Sequence, residues 1–565
     1  MRIVLVLLFV ALALRLVGVQ VFSSNHYSQI GASQLTSTVR VPAQRGGIFD
    51  RDGAVLGISV PTSDVVGDPY LIAHPAREAA ALSGLLDVPE PQLEADLSER
   101  SGFVYLAHQV SQQDSSKVSS LGLAGINLLP DSRRIDPAGQ LAAPVIGSVD
   151  TSGSGQSGLE YKYDSLLAGR NGTLQEEQSP SGITLPGTTK QLRAALPGTG
   201  IELTLDQPLQ YVTEQSLGAA IVSSHAKSGI AIVENSHTGQ ILSMADLVAD
   251  PHTNKVSEAS QNLALTQVYE PGSVFKVVTF SAALTQGIIS PSTVLTVPNS
   301  LLIDGWTFHD AETHPTEHLS ATQILAQSSN IGTIEIAEAL GENRLAQQIA
   351  TLGFGQPTGL AFPGESEGLV KPNPAQWSGS DIGSTPIGQD DAVTAQQVLD
   401  MINSVATGGV FVPPRLVRAT VSSDGSVTAS PTAPTHRVFS TAVSDELTTM
   451  MEQVVQDGTA VSAGVPGYSV AGKTGTAQIP DPVHGGYIPG AYMATFAGFA
   501  PAQNPALSAI VVLDQPNPIF GGVVAAPVFS QVMQYALHRY GISPSPGGAS
   551  TGSKDDPAPF PAAGQ

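Results

Sequence analysis

The chain has 565 residues, 41% of them hydrophobic and only 13% charged, with 57 glycines and 41 prolines. This excludes a coiled coil or a largely disordered chain and suggests two or three turn-rich domains. The net charge of −23 argues against a nucleic-acid partner, and the absence of cysteine removes disulfides, thiolate metal sites and cysteine nucleophiles.

The predicted elements begin with an apolar run, Ile3 to Leu14, extended past Arg15 by Leu16 to Phe22. About 20 residues at 1.5 Å rise span the roughly 30 Å hydrocarbon core. The residues after Val21 contain no small-x-small cleavage pattern, so residues 1–22 are expected to be a retained transmembrane anchor. Arg15 is costly at mid-membrane and is expected near the outer boundary; the span then starts upstream of Met1, or the cytoplasmic end is very short. Arg2 alone supplies positive-inside charge. No other stretch is apolar enough to span, so nearly the whole chain is expected on one, extracytoplasmic, side of a cell membrane.

After a polar stretch, Ser23 to Ala43, Asp52-Gly53 between apolar runs predicts a hairpin. Helical patterns follow, such as Glu78 to Leu86, then a Ser/Gly-rich joint at Thr151 to Gly158. Ser179 to Gly200 reads as an interdomain linker. The expected domains are therefore 23–197, a non-catalytic module, and 198–541. In the second, Ile201 to Leu205 alternates as a strand, Asp206 caps a helix opening with Gln207-Pro208, and Ile230 to Val233 is a buried strand turning at Thr238-Gly239 into Gln240 to Met244. Helices are expected to dominate up to about Ile349. Strands return near Tyr468 to Lys473, Ala494 to Gly498 and Leu507 to Leu513, before a helix from Val528 to Arg539. This order predicts an α/β (α+β) domain with an antiparallel sheet and a helical subdomain. Residues 542–565 read as a disordered tail.

Three short motifs carry chemistry. In Tyr269-Glu270-Pro271-Gly272-Ser273-Val274-Phe275-Lys276, the turn places Ser273 at a helix start, and Lys276 at i+3 lies on the same face. A serine hydroxyl needs a base, and a lysine desolvated in a cleft can serve as one. Ser328-Ser329-Asn330 can supply a hydroxyl proton shuttle and an amide-binding side chain. Lys473-Thr474-Gly475-Thr476 reads as a strand. Thr474 and Thr476 face one way, Gly475 admits a close substrate backbone, and Lys473 offers charge to a carboxylate. Each motif alone also fits a plainer role: a helix-capping serine, a solvated turn, an ordinary strand. Ser224-His225-Ala226-Lys227 has the first spacing too, but it runs into a strand. The His309, Asp310, Glu312, His314, Glu317 and His318 cluster lacks His-Glu-x-x-His spacing and is broken by Pro315, so it reads as a polar loop, and no metal is expected.

In order and spacing, the three motifs resemble those of penicillin-binding proteins. With Arg45-Gly46, Asp50-Arg51-Asp52-Gly53, Gly158-Leu159-Glu160, Tyr163-Asp164, Leu167-Ala168-Gly169, Gly408-Gly409, Pro413-Pro414, Phe496 to Pro501 and Gly521 to Phe529, the chain resembles class B members of the division type. The resemblance implies a penicillin-binding/serine β-lactamase-like transpeptidase domain behind an N-terminal pedestal. It implies a peptidoglycan D,D-transpeptidase in septal wall synthesis, without a cofactor, with stem peptides and β-lactams as ligands. A membrane-bound glycosyltransferase and other divisome proteins are its implied partners. Ser273 is implied as the acylated nucleophile and Lys276 as its base, with Ser328, Asn330 and Lys473 completing the catalytic set. Backbone N–H groups of Ser273 and Thr476 would form the oxyanion hole, while Thr474, Gly475 and Thr476 bind substrate. Arg15 and the short start depart from the family's longer basic cytoplasmic tail. A D,D-carboxypeptidase, with water as acceptor, and a non-catalytic assembly scaffold are the alternatives.

Overall fold

The computed structural model describes residues 2–18, 36–177, 188 and 190–545. The first apolar run forms a helix, Arg2–Val17, and none of its residues is buried. Among the described residues no helix is long and apolar enough to cross a membrane. This helix stops at Val17 with Arg15 in its last turn, and Val19 to Phe22 lie outside the described residues.

The N-terminal module begins with β1 (Thr36–Val41), β2 (Ile48–Phe49) and β3 (Val55–Gly67). The expected hairpin joins β2 to β3. Gly53 takes φ 85°, and the Asp50 carboxylate accepts the amides of Asp52 and Ala54 at 2.9 and 2.8 Å. β4 (Val104–Val110) and β5 (Ile126–Ile135) both pair antiparallel with β3. Helices Pro75–Leu86, Glu90–Leu97 and Gln112–Ser120 close a separate small core around Val65, Leu82, Leu93 and Leu106. β6 (Gly172–Glu177) lies between β1 and β7 (Lys190–Arg193). The linker expected over Ser179 to Gly200 is thus corrected in its described part. From Lys190 onward it is a strand, Leu196 bridges to Arg170, and the Gly198 amide donates to Gln44 O.

Arg45, Arg134, Glu160 and Asp164 hold this module together from inside. Arg45 Nε donates to Glu160 at 2.7 Å and its NH1 to Asp164 at 2.6 Å, while Arg134 Nε donates to the other Glu160 oxygen at 2.7 Å. Glu160 is 1% exposed, so its charge is compensated only by these guanidinium groups.

β8 (Gly200–Leu203) pairs in parallel with β2. Asp206 then caps the helix Gln207–Ser224, as its sequence predicts, by accepting the Leu209 amide at 3.1 Å. β9 (Ser228–Asn235), β10 (Ile241–Ala249) and β11 (Val256–Glu258) follow. Four short strands come next: β12 (Val294–Val297) pairs with β15 (Glu317–Ser320), and β13 (Ser300–Ile303) with β14 (Trp306–His309). They interrupt the stretch up to Ile349 in which helices were expected to dominate, and they carry no helix themselves. The turn responsible is Asp304-Gly305, both at positive φ, which is hairpin chemistry. Further on, β16 (Val410–Phe411) pairs with β19 (His436–Arg437), and β17 (Val417–Val421) lies between β8 and β18 (Val427–Ala429). The last strands are β20 (Ala471–Pro480), β21 (Tyr487–Ala500) and β22 (Leu507–Asp514).

The main sheet is antiparallel, in the order β11-β10-β9-β22-β21-β20. Helices Gln207–Ser224 and Ala526–Arg539 pack on it together, and Ala395–Ala406 also packs against it. With both faces covered, β9 and β22 are buried along almost their whole length. The second large sheet, β18-β17-β8-β2-β3-β4 with β5 beside β3, runs through both modules. Ile48, Leu56, Val145 and Leu159 consequently share one core with Ile201, Leu203 and Leu209. A polar clamp joins the same parts. Asp206 accepts Arg539 Nε at 2.6 Å and the Tyr540 hydroxyl at 2.7 Å, and Arg51 donates to that hydroxyl at 3.0 Å. The tail expected over 542–565 is corrected at its start, because Tyr468 OH donates to Ile542 O and the Ser545 amide to Gly467 O; the rest of that expectation, residues 546–565, lies outside the described residues.

Glu160→Ala leaves two buried guanidinium groups without their shared carboxylate and should cost about 3–5 kcal/mol. A denaturation midpoint equal to the wild-type value would show that this network does not stabilise the module.

Candidate active site

Pro271-Gly272 bends the chain, with Gly272 at φ 58°. A Cβ there would stand 3.0 Å from that of Ala477, so the turn can lean on β20 only without a side chain. Gly272–Phe275 forms a 3₁₀ turn rather than the expected regular helix start, and the α-helix begins at Lys276. Gly272, Val274 and Phe275 are buried, which anchors the turn, while Ser273 between them is partly exposed.

Lys276 is fully buried. Its Nζ donates to Ser328 O at 2.5 Å and Asn330 Oδ1 at 2.7 Å, and lies 3.3 Å from Ser328 Oγ. Lys473, also fully buried, reaches Ser328 Oγ from the other side at 2.9 Å and Thr474 O at 3.2 Å. One hydroxyl is thus held between two buried amines, with no carboxylate bonded to either. Burial drives the Lys276 ammonium far below its ordinary value; the Lys473 charge adds to the effect and Asp310 opposes it. Burial pushes Lys473 down to about 7. The structure therefore brings Lys276, Ser328, Asn330 and Lys473 into one hydrogen-bonded group. Ser273 joins them through the helix turn it shares with Lys276; among the described residues its hydroxyl has no hydrogen-bond partner.

Ser328 owes its place to two helices meeting. It ends the helix Ala321–Gln327 in the left-handed conformation, φ 62°, and Ser329 caps the helix Asn330–Leu340 by accepting the Gly332 amide at 3.0 Å. The junction is organised by Asp310, a residue sequence reasoning placed only in a polar loop. Its carboxylate accepts the Ser329 hydroxyl at 2.8 Å, the Ile331 amide at 3.1 Å and the Asn330 amide. Asn330 Nδ2 donates to His309 O at 2.9 Å, and His314 Nε2 sits 3.0 Å from Asp310. Among the described residues no three His, Cys, Asp or Glu side chains are disposed to hold a metal ion. No local pattern marks Asp310, because the groups it binds lie about twenty residues further along the chain.

β20 is the outermost strand of the main sheet, so one of its edges has no strand partner. Thr474 Oγ1 pairs with Thr459 Oγ1 at 2.8 Å, and Thr476 Oγ1 accepts the Gly521 amide at 3.3 Å. Gly475 also lets the turn that carries Ser273 pack closely, since a Cβ there would lie 2.7 Å from Pro271 O. The two lysines bring the turn, the helix junction and the strand together at Ser328, and Ser273 on the turn is partly exposed.

Two family descriptions match the chain: the penicillin binding protein transpeptidase domain over residues 229–534 and the penicillin-binding protein dimerisation domain over residues 40–203. The chain is 34% identical to penicillin-binding protein PbpB of Mycobacterium tuberculosis, over 96% of its own length and 85% of that protein. It is 30% identical to peptidoglycan D,D-transpeptidase FtsI of Escherichia coli, covering 96% of this chain and 91% of the relative. The crystal structure of penicillin binding protein 3 from Mycobacterium tuberculosis complexed with ampicillin superposes with a TM-score of 0.70 at 31% identity, covering 92% of this chain and 98% of that one. The chain belongs to the penicillin-binding protein family, in the class that joins a dimerisation domain to a transpeptidase domain.

Proposed function

We propose that this protein is a penicillin-binding peptidoglycan D,D-transpeptidase of septal wall synthesis, acting from the outer side of the cell membrane. The observation that carries the reading is the Ser328 hydroxyl fixed between two buried, charge-depleted lysines beside Ser273. Ser273 Oγ attacks the penultimate D-Ala carbonyl of a stem peptide while neutral Lys276 takes its proton. Backbone amides of Ser273 and Thr476 stabilise the oxyanion. The D-Ala–D-Ala bond breaks, and the terminal D-Ala leaves with a proton returned by way of Ser328. Thr474, Thr476 and Lys473 hold its carboxylate. An amine of a neighbouring stem then attacks the acyl-enzyme, releases Ser273 and forms the cross-link. β-Lactams stop this sequence at the acyl-enzyme.

The transmembrane anchor within residues 1–22 is part of the same reading. It is supported by the unbroken apolar run Ile3 to Leu14 in a helix with no buried residue, a pattern suited to lipid. Partners in the membrane, a glycosyltransferase among them, would be met on that side. Residues 23–197 act as the non-catalytic pedestal for the transpeptidase domain at 198–541. The septal role is supported by the FtsI and PbpB relatives.

A fluorescent penicillin should label the wild type covalently and leave Ser273→Ala unlabelled; equal labelling of both would reject the enzyme reading. Lys276→Ala should lose at least 10²-fold in acylation rate while keeping its unfolding midpoint, as general-base removal does. Acylation should rise with pH as Lys276 becomes neutral and fall as Lys473 loses its proton near 7. Lys473→Arg, which stays charged, should lack that falling limb in stopped-flow measurements. Asp310→Ala should slow acylation on the order of 10-fold, because an unsupported catalytic group costs rate without any loss of chemistry. An unchanged rate would remove Asp310 from the site.

A further inference from the structure

Glu270 stands just ahead of Ser273, is almost fully buried, and takes no part in the lysine network. Its carboxylate accepts the Tyr487 hydroxyl, at 3.1 Å to one oxygen and 3.4 Å to the other, and the Asp390 amide at 3.2 Å. The two partners come from different elements. Tyr487 opens β21 and pairs with Pro480 at the far end of β20. Asp390 belongs to a segment that runs beside the nucleophile turn. There Gly272 N donates to Gly388 O at 2.9 Å, and Tyr269 and Val393 exchange backbone hydrogen bonds at 3.0 and 2.9 Å. The inner flank of the turn is so close that a Cβ on Gly388, φ 80°, would stand 2.2 Å from Gly272 O. The outer flank touches β20 as far as Ala477, and beyond it the tie to the hairpin is the Glu270–Tyr487 hydrogen bond.

The geometry points to Glu270 as a positioning residue whose carboxylate ties the far end of the β20–β21 hairpin to the turn that carries Ser273, and whose protonation loosens that tie. The assignment rests on the transpeptidase reading. The groups facing the carboxylate are Tyr487 from β21 and Asp390 and Asp391 from the neighbouring segment. Lys371 donates its amide to Asp391 and its Nζ to Asp381. Among the described residues no cation bonds Glu270. Burial pushes it up to about 7, the Asp390 amide and the Tyr487 hydroxyl oppose this, and the two aspartates add to it. An ionised carboxylate accepts both hydrogen bonds fully; a carboxylic acid keeps one acceptor oxygen free. The tie is therefore tight above pH 7 and slack below it.

The test is the pH dependence of second-order acylation by a fluorescent penicillin, from pH 5.5 to 8.5, in the full chain. Limbs owed to Lys276 and Lys473 are common to every variant, so the comparison isolates Glu270. Glu270→Gln should be several-fold slower than wild type at pH 8, approach it at pH 6, and lack one rising component near neutrality. Tyr487→Phe removes the donor that makes the tie, so it should also be several-fold slower at pH 8 and lack that rising component, even if Glu270→Gln fails to fold. Profiles of the same shape in all three proteins, or a Tyr487→Phe profile that keeps the wild-type component, would overturn the assignment. A wild type that does not acylate at all would instead remove the transpeptidase reading beneath it.

Discussion

Burying two amines without a counter-charge is the constraint around which the catalytic domain is arranged. A desolvated ammonium is expensive, so Lys276 and Lys473 relieve the cost by favouring their neutral forms. What remains must be met by neutral acceptors, and the fold provides them: a carbonyl freed at a helix end, a side-chain amide, and a hydroxyl shared between both lysines. A carboxylate in the same place would hold the amines charged. Asp310 is instead kept one layer back, spending its lone pairs on helix amides and Ser329 while still lending a distant field to Lys276. Close neutral acceptors and a removed negative charge give a lysine that is both fixed in position and able to lose its proton.

The same economy explains why the site sits at a margin of the main sheet. β20 has one free edge and, on its other side, the paired rigidity of β21 and β22. The nucleophile turn is pressed onto it at Gly475 and Ala477, where glycine is needed on both surfaces. Rigid strand, rigid turn and capped helix junction meet without a long loop between them. The positions of the reacting groups thus depend on packing more than on local flexibility.

Much of this was legible in the residues. The Asp206 cap, the Asp52-Gly53 hairpin and the buried strands at 230–233 and 507–513 follow from local chemistry and appear where expected. The motif residues converge because their spacing reflects one family of folds. What was not legible depends on distance or on short elements. Asp310 meets Ser329 across 19 positions and Glu270 meets Tyr487 across 217, and neither separation leaves a periodic trace. Strands β12 to β15 have four residues each, too few for alternation to outweigh the helical patterns around them. Lys190 to Gly200 read as a linker because Gly, Pro and Thr mark turns; those residues in fact pair with Gln44, Arg170 and β6.

The parallel register of Ile48 and Phe49 with Ile201 and Glu202 has a further consequence. Severing the polypeptide just ahead of Gly200 would not liberate a finished domain. It would strip β8 of a neighbour, wet the fully buried Ile201 and leave raw backbone amides along a new rim, an invitation to adhesion between molecules. Solubility of the catalytic half is therefore a property lent to it by the N-terminal half.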